Sequence, residues 1–246
     1  MNKVTIGYAS LADRVKNIKF LPDYPNILVV QNPNQISFEM PKAPNLKTIM
    51  LNNKGVAKSR NQSLKHCETE YLLFADDDIT IHTQTLEKAV QYLEENSDCD
   101  ILLMQTADPD GNLRKTYSKS KQKLTRFNSA KAATYEMMVR VAEIKKYGIN
   151  FDENFGAGAP NYLGDEYIFI TDLLKVGAKG VYLPMVIATH PIESSATPWS
   201  DNRALKARAR IFTRVFGPIA PLVRLGFILK ARQNVGLIGV IKFVIG

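Results

Sequence analysis

The stretch Tyr71-Leu72-Leu73-Phe74-Ala75-Asp76-Asp77-Asp78 constrains this chain more than any other. An apolar run of strand-forming character stops at three consecutive carboxylates. Adjacent acids repel one another, and nothing in folding asks for them. At the carboxyl end of a buried strand they stand at the rim of a sheet, where open α/β folds bind ligands. Successive strand residues point to opposite faces. Asp76 and Asp78 are therefore expected to converge, with Asp77 pointing away. Two convergent hard-oxygen ligands suit Mg²⁺ or Mn²⁺, which fill the rest of their shell with water and phosphate oxygen. Taken alone, the triplet also reads as a solvated turn or a helix cap.

The rest of the chain supplies the context. Lys3–Ala9 reads as a first strand, and Ser10 as the cap of a short helix from Leu11 to Phe20. Asn26–Gln31 and Leu46–Leu51 are further strands, separated by a Pro- and Asn-rich loop. Gly55 opens a helix to about Glu68, with Lys58, Arg60 and Asn61 in its early turns. Thr83 to about Asn96 is an amphipathic helix, because Leu86, Ala89, Val90 and Leu93 recur at helical spacing. Asp100–Gln105 is a strand, and Pro109–Asn112 a turn. Thr134–Val139 is strand-like. Ala142–Tyr147 is a helix stopped by Gly148, and Asp165–Val176 one stopped by Gly177. Gly180–Pro184 and Val186–Thr189 are extended and finish at His190. Strands alternating with helices argue for a mainly parallel, doubly wound α/β sheet.

At 246 residues the chain accommodates one large α/β domain, or a domain with an appendage. Cys67 and Cys99 have no disulfide-framework or metal spacing and read as reduced thiols of a cytoplasmic protein. The start, Met1 to Gly7, enters a strand pattern without the apolar core of a signal peptide. The net charge of +8 is unevenly placed. Arg203 to Gly246 holds nine Lys/Arg and no Asp/Glu, so the rest of the chain is within one charge of neutral. Such a tail points to a polyanion partner, a membrane surface or nucleic acid.

Four ordered segments resemble family 2 glycosyltransferases. They are Gly55-Val-Ala-Lys-Ser-Arg60-Asn61, the strand ending in Asp76-Asp77-Asp78, Tyr147–Gly156 followed by Gly164-Asp165-Glu166, and Val176–Pro184 closing on His190. The resemblance covers roughly residues 3 to 195. It implies the Rossmann-like GT-A fold: a mixed, mainly parallel central sheet flanked by helices over residues 1–199, with a basic amphipathic helical tail at 200–246. It also implies transfer of a sugar from a nucleoside-diphosphate donor, a UDP-sugar first among the candidates, to a hydroxyl of a saccharide or lipid-linked acceptor with inversion. The resemblance gives Tyr8, Ser10, Gln31, Lys54, Arg60, Asp76 and Asp77 as contacts to the nucleotide sugar. Asp76, Asp78 and His190 are then the metal ligands, for Mn²⁺ or Mg²⁺. Asp165 and Glu166 are the candidates for the base that takes the acceptor proton. The family order there is Gly-Glu-Asp, so either acid is a candidate. Counting from the glycine favours Glu166. The first strand ends in Tyr8-Ala9-Ser10 where the family has Thr-Tyr-Asn, and Gln31 and Asn32 stand where the family has acids that hold the base.

In the tail, Arg203, Lys206, Arg210 and Arg214 recur at three- and four-residue spacing. Leu205, Ile211, Phe212, Val215 and Phe216 supply an apolar side. Pro218 and Pro221 break the run, and Leu222–Arg232 and Val235–Gly246 follow. The last segment is too short to span a bilayer. A basic amphipathic helix pair lying on an anionic membrane is the expectation, placing the protein on the cytoplasmic face. The competing reading packs the apolar sides on the domain or on a second copy of the chain, as in a homodimer. Nucleic acid is disfavoured by the aliphatic content and by the lack of a stacking array. A GT-A module that binds a nucleotide sugar without turnover is the alternative to an enzyme. A nucleotidyltransferase would need a Gly-rich loop after the first strand, which Ser10–Arg14 is not.

Overall fold

The computed structural model describes residues 2–191, 201–231 and 237–245. The expected boundary between 199 and 200 lies outside them. In chain order the elements are β1 (Val4–Leu11), β2 (Asn26–Gln31), β3 (Leu46–Leu51), α1 (Val56–His66), β4 (Tyr71–Asp76), β5 (Thr80–Ile81), α2 (Thr83–Glu95), β6 (Ile101–Ala107), β7 (Gln122–Lys123), β8 (Met137–Arg140), α3 (Val141–Tyr147), α4 (Asp165–Lys175) and β9 (Gly180–Thr189). The tail contributes α5 (Asn202–Phe216), α6 (Ala220–Ala231) and α7 (Leu237–Ile245).

The strands form one sheet in the order β3-β2-β1-β4-β8-β6-β9-β5, with β7 against β9. β1, β2, β3 and β4 run parallel. β8 is antiparallel to both its neighbours, β4 and β6. The fold is thus mixed and mainly parallel around β1 and β4, as the alternating pattern implied. The carboxyl ends of β1, β2 and β4 open on the same edge, and the site is built there.

Period-two alternation splits the strand side chains between two cores. Val4, Ile6, Tyr8, Leu28, Val30, Tyr71 and Leu73 pack with Leu86 and Leu93 of α2 on one face. Ile27, Val29, Leu72 and Phe74 pack with Leu64 of α1 and Phe169 and Leu173 of α4 on the other. Each such fully buried side chain contributes about 1.5–3 kcal/mol. β9 runs through Pro184, which sits exposed where the β6–β9 register shifts. A proline is tolerated there because no ladder hydrogen bond is demanded of it.

Two expectations fail near the ends of the chain. Ser10 does not cap a helix: β1 continues through Leu11, and only a single 3₁₀ turn, Val15–Asn17, follows. The apolar side of α5 does not face a membrane either. Leu205, Ile211, Phe212, Val215 and Phe216 bury against Phe155, Tyr167 and Ile168 of the main body, with Ala220, Ile228 and Phe243 closing over them. By length and composition Asn202–Leu229 could cross a bilayer. The 3₁₀ turn at Gly217–Ile219 interrupts that run, and its first half is a packed core helix. Asp201 caps α5, its Oδ1 accepting from Arg203 N at 2.8 Å.

Candidate active site

A cleft of about 570 Å³ lies at the carboxyl edge of β1, β2 and β4. Its volume is in the range of small-ligand sites. Ser10, Gln31, Lys54, Arg60, Asp76, Asp77, Asp78, Asp165, Glu166 and His190 all line it. The fold therefore gathers these sequence-nominated residues from seven separate stretches of chain. Tyr8 is the exception. It is fully buried, its ring edge-on to Phe20 at 5.2 Å and its hydroxyl donating to the Lys19 carbonyl at 3.2 Å. It is a core residue beneath the cleft, because β1 directs it toward the α2 face.

The acid triplet is arranged differently from the strand-based expectation. β4 ends at Asp76, and the chain turns at Asp77 and Asp78, so period-two alternation no longer applies. Asp77 is buried and turned toward β1, accepting from Ser10 Oγ at 2.8 Å. Arg14 Nη2 lies 2.6 Å from Asp77 Oδ1 and 2.9 Å from Asp78 Oδ2, bridging the two. Burial raises the Asp77 carboxyl above the usual carboxylate range, opposed by the Ser10 bond and the Arg14 charge. Burial also raises Asp76, with Arg60 pulling the other way.

Arg60 is the other organising cation. It rises from the first turns of α1, which begins at Gly55, a residue at φ 135° whose N–H donates to Gln31 Oε1 at 2.7 Å. Only glycine adopts that backbone cheaply. Arg60 is 7% exposed; it donates to Asp165 Oδ2 and stands 3.3 Å from Asp76 Oδ1. Asp165 opens α4 and is itself buried. A Cβ on Gly156 would lie 2.7 Å from Asp165 Cγ, so the 156–158 loop closes directly on that acid. Neighbouring Asn61 clamps the same loop's approach, donating to the Phe151 carbonyl at 3.0 Å and accepting from Phe151 N at 2.8 Å.

Asp165 and Glu166 are adjacent but sit in different surroundings. Asp165 is spent on Arg60. Glu166 faces the cleft without a salt bridge among the described residues. Burial pushes its carboxyl up to about 8, Asp165 beside it adds to the rise, and Arg60 opposes it. A carboxyl so displaced, in a cleft, is the usual signature of a working group rather than a helix-dipole partner.

His190 follows the end of β9. Its Nδ1 lies 2.7 Å from the Pro191 carbonyl, which can only accept, so Nδ1 carries the proton. In the neutral ring Nε2 then presents a lone pair. It stands 3.3 Å from Asp78 Oδ1, a solvent-shielded oxygen with no hydrogen-bond partner among the described residues. Two lone-pair atoms facing each other fit a divalent cation. Among the described residues, however, no three His, Cys, Asp or Glu side chains form a ready-made metal cluster. Asp76, Asp78 and His190 share the cleft without closing a three-ligand site. The arrangement suits an ion that takes the rest of its shell from a ligand's phosphates.

Arg14, Arg114, Tyr135 and Tyr162 also line the cleft and were not nominated from sequence. Arg14 and Arg114 are cations at the rim. The Tyr135 ring lies 4.9 Å from that of His190 and positions it, and Tyr162 closes one end of the cleft. Arg14 fell inside a stretch read as helix, and Tyr135 inside one read as strand, so periodicity carried no signal for either.

The sequence model described as "Glycosyl transferase family 2" matches residues 32–147, which hold α1, the acid triplet and the strands around it. Over 114 residues the chain is 32% identical to the poly(ribitol-phosphate) beta-N-acetylglucosaminyltransferase TarS of Staphylococcus aureus, covering 44% of this chain and 20% of that protein. The chain therefore spans about a fifth of this relative's length. The crystal structure of S. aureus TarS superposes with a TM-score of 0.60 at 17% identity, over 96% of this chain and 44% of that one. The TarS 1–349 fragment in complex with UDP-GlcNAc gives 0.56 at 17% identity, over 88% and 67%. These structural likenesses establish the shared fold.

Proposed function

The chain belongs to glycosyl transferase family 2 through residues 32–147, and from that premise we propose that it is a glycosyltransferase. It moves a sugar from a nucleoside diphosphate, UDP first among the candidates, to a hydroxyl of a saccharide or lipid-linked acceptor in building a cell-surface polymer or glycolipid. The observation that carries this reading is the cleft itself. Three acids, two bridging arginines, His190 and Glu166, which has no salt bridge among the described residues, converge at the sheet edge where the family fold binds its donor. The relative TarS is named as an N-acetylglucosaminyltransferase, and its fragment has been crystallised with UDP-GlcNAc, which makes that donor the first to try.

Glu166 is the base. It is the carboxylate of the Asp165–Glu166 pair that is not committed to a cation, and a base titrating near the working pH is efficient. The reaction breaks the bond between the anomeric carbon and the diphosphate oxygen and forms one to the acceptor oxygen. The acceptor proton goes to Glu166, and attack opposite the leaving group inverts the centre. Asp165 is a positioning residue. Through Arg60 it holds Asp76 and the start of α1 in register. Asp78 and His190, with Asp76 beside them, would hold Mn²⁺ or Mg²⁺, which when bound neutralises charge gathering on the leaving diphosphate. Arg14, Lys54 and Ser10 line the donor half and keep it positive and polar.

The tail supports a peripheral place on the cytoplasmic membrane face in a different way from the one expected. α5 is covered, but Leu222, Leu225 and Leu229 of α6 recur at three- and four-residue spacing and are exposed, Leu222 by 72%. Such an exposed apolar stripe favours a lipid surface, and the net positive charge of the tail favours an anionic one.

The test is a thermal-shift and turnover panel of UDP-, GDP-, dTDP- and CMP-sugars with and without Mn²⁺. One donor should raise the melting temperature by mass action and then be hydrolysed or transferred. Stabilisation without any turnover would favour a binding module. No response to any donor would remove the proposal. For the membrane reading, Leu222→Asp/Leu229→Asp should abolish flotation with anionic liposomes, and unchanged flotation would refute it.

A further inference from the structure

A second cavity, of about 620 Å³, lies between α5, α7 and the loop at Pro160–Tyr162. Four cations face it: Arg203, Lys206 and Arg210 from one side of α5, and Lys242 from α7. None has a carboxylate partner among the described residues. The next member of the same α5 stripe behaves differently. Arg214 is paired, 2.9 Å from Asp152 and 2.6 Å from Asp172. The cavity wall holds no acid among the described residues, so its charges are uncompensated and mutually repulsive. A set of unpaired cations around a concavity is complementary to an anion.

The other half of the wall is apolar. Ile241 and Ile245 flank Lys242 on α7 and are 50% and 74% exposed. α7 packs beside α6, whose exposed leucines continue the apolar surface outward. The cavity also meets the active cleft. Tyr162 lines both, Arg203 stacks over its ring at 4.7 Å, and its hydroxyl is shielded from solvent without a hydrogen-bond partner. An anion held at the cations would thus lie one side chain away from the space in front of Glu166, with an apolar exit behind it.

We infer that this cavity is an acceptor subsite that takes the diphosphate of a lipid-linked saccharide, its alkyl chain running along Ile241 and Ile245 and its sugar passing Tyr162 into the cleft. This rests on the glycosyltransferase reading for its role as an acceptor site. A hydrophilic phosphodiester polymer would use the cations but leave the apolar half without purpose.

The experiment measures binding to the full chain, without donor, of decyl diphosphate, inorganic pyrophosphate and a soluble glycerol-phosphate oligomer. Decyl diphosphate should bind about tenfold or more tightly than the other two, and Arg203→Glu/Lys206→Glu should weaken it about tenfold or more. Both side chains are exposed, so the variant should keep the native circular dichroism and melting temperature. Equal binding by the variant overturns the cavity assignment. An oligomer bound as tightly as decyl diphosphate, and weakened equally, overturns the lipid assignment. UDP binding is measured in parallel. Its absence, together with no response to GDP-, dTDP- or CMP-sugars and with decyl diphosphate still bound and still sensitive to the substitutions, would sink the glycosyltransferase reading and leave the cavity as a lipid-diphosphate site.

Discussion

The active cleft and the tail cavity are both crowded with charge, but they handle it in opposite ways. In the cleft each nominated acid apart from Glu166 has a cationic or imidazole neighbour: Arg14 on Asp77 and Asp78, His190 also at Asp78, Arg60 on Asp76 and Asp165. In the cavity the cations stand without acids among the described residues. The difference follows from burial. Arg60 and Asp165 are recessed, and an uncompensated charge there would cost several kcal/mol. Arg203, Lys206 and Arg210 are exposed, where water screens their repulsion and leaving them unpaired costs little. A buried site must therefore arrive pre-paired and exchange partners with its ligand, while an exposed one can wait empty for a counter-ion.

The sharpest way to break this contrast is at Glu166, the one nominated cleft acid without a salt bridge among the described residues, set against Asp165 instead. Glu166→Gln should lower transfer by about 10²–10⁴-fold, the range of a general base, with donor affinity retained in titration calorimetry. A variant within a few-fold of native would move the base elsewhere. Arg60→Ala comes next. It strands Asp165 in the interior and should destabilise the fold by about 3–5 kcal/mol in urea melts. A loss under 1 kcal/mol would mean that water reaches the pair.

Titration gives a smaller and graded effect. With deprotonated Glu166 as the proposed base, kcat/KM should climb as pH rises and level off above an apparent pKa near 8. The stability of the unliganded protein should move the other way. A folded pKa raised above its ordinary 4.5 means that this group's contribution is full below that value and is lost as pH rises through about 8. In Glu166→Gln that slope should vanish. The least effect separates two arginines on one helix. Arg214→Ala should cost about 1 kcal/mol, since its ion pairs are partly screened. Arg210→Ala, with Asn161 as its polar contact, should change stability by less than about 0.5 kcal/mol.

Much of the fold was legible because its strands obey simple rules. The alternation of Ile27, Leu28, Val29 and Val30, and of Leu72, Leu73 and Phe74, assigns each residue to a face. Leu86, Ala89 and Leu93 do the same for α2. The site was legible where residue type and spacing carried chemistry, as at Asp76–Asp78, and at Gly164–Glu166 through the family resemblance. It was not legible where the backbone leaves regular structure. Asp77 turns inward because the strand has ended, a boundary that alternation cannot see. Arg14 reaches the acids from an irregular turn that has no period. Tyr8 was expected as a donor contact from the family resemblance, yet β1 runs on past it and points it into the core. In the tail, Ile211, Phe212 and Val215 announced a covered face, but amphipathicity does not say whether lipid or protein covers it.

The seat of α4 has a mechanical corollary. Gly164, at φ 88°, caps that helix, and Ile211 of α5 lies so close beneath it that a Cβ would collide with the isoleucine side chain. The next two residues are Asp165 and Glu166. Whatever pulls, tilts or docks the tail thus acts as a lever on Asp165 and on the proposed base Glu166, with a fulcrum one residue away. Cutting off the last helices would therefore disturb the proposed base as well as any lipid contact, so the proposed lipid contact and turnover are told apart by point changes on the outer faces of α6 and α7.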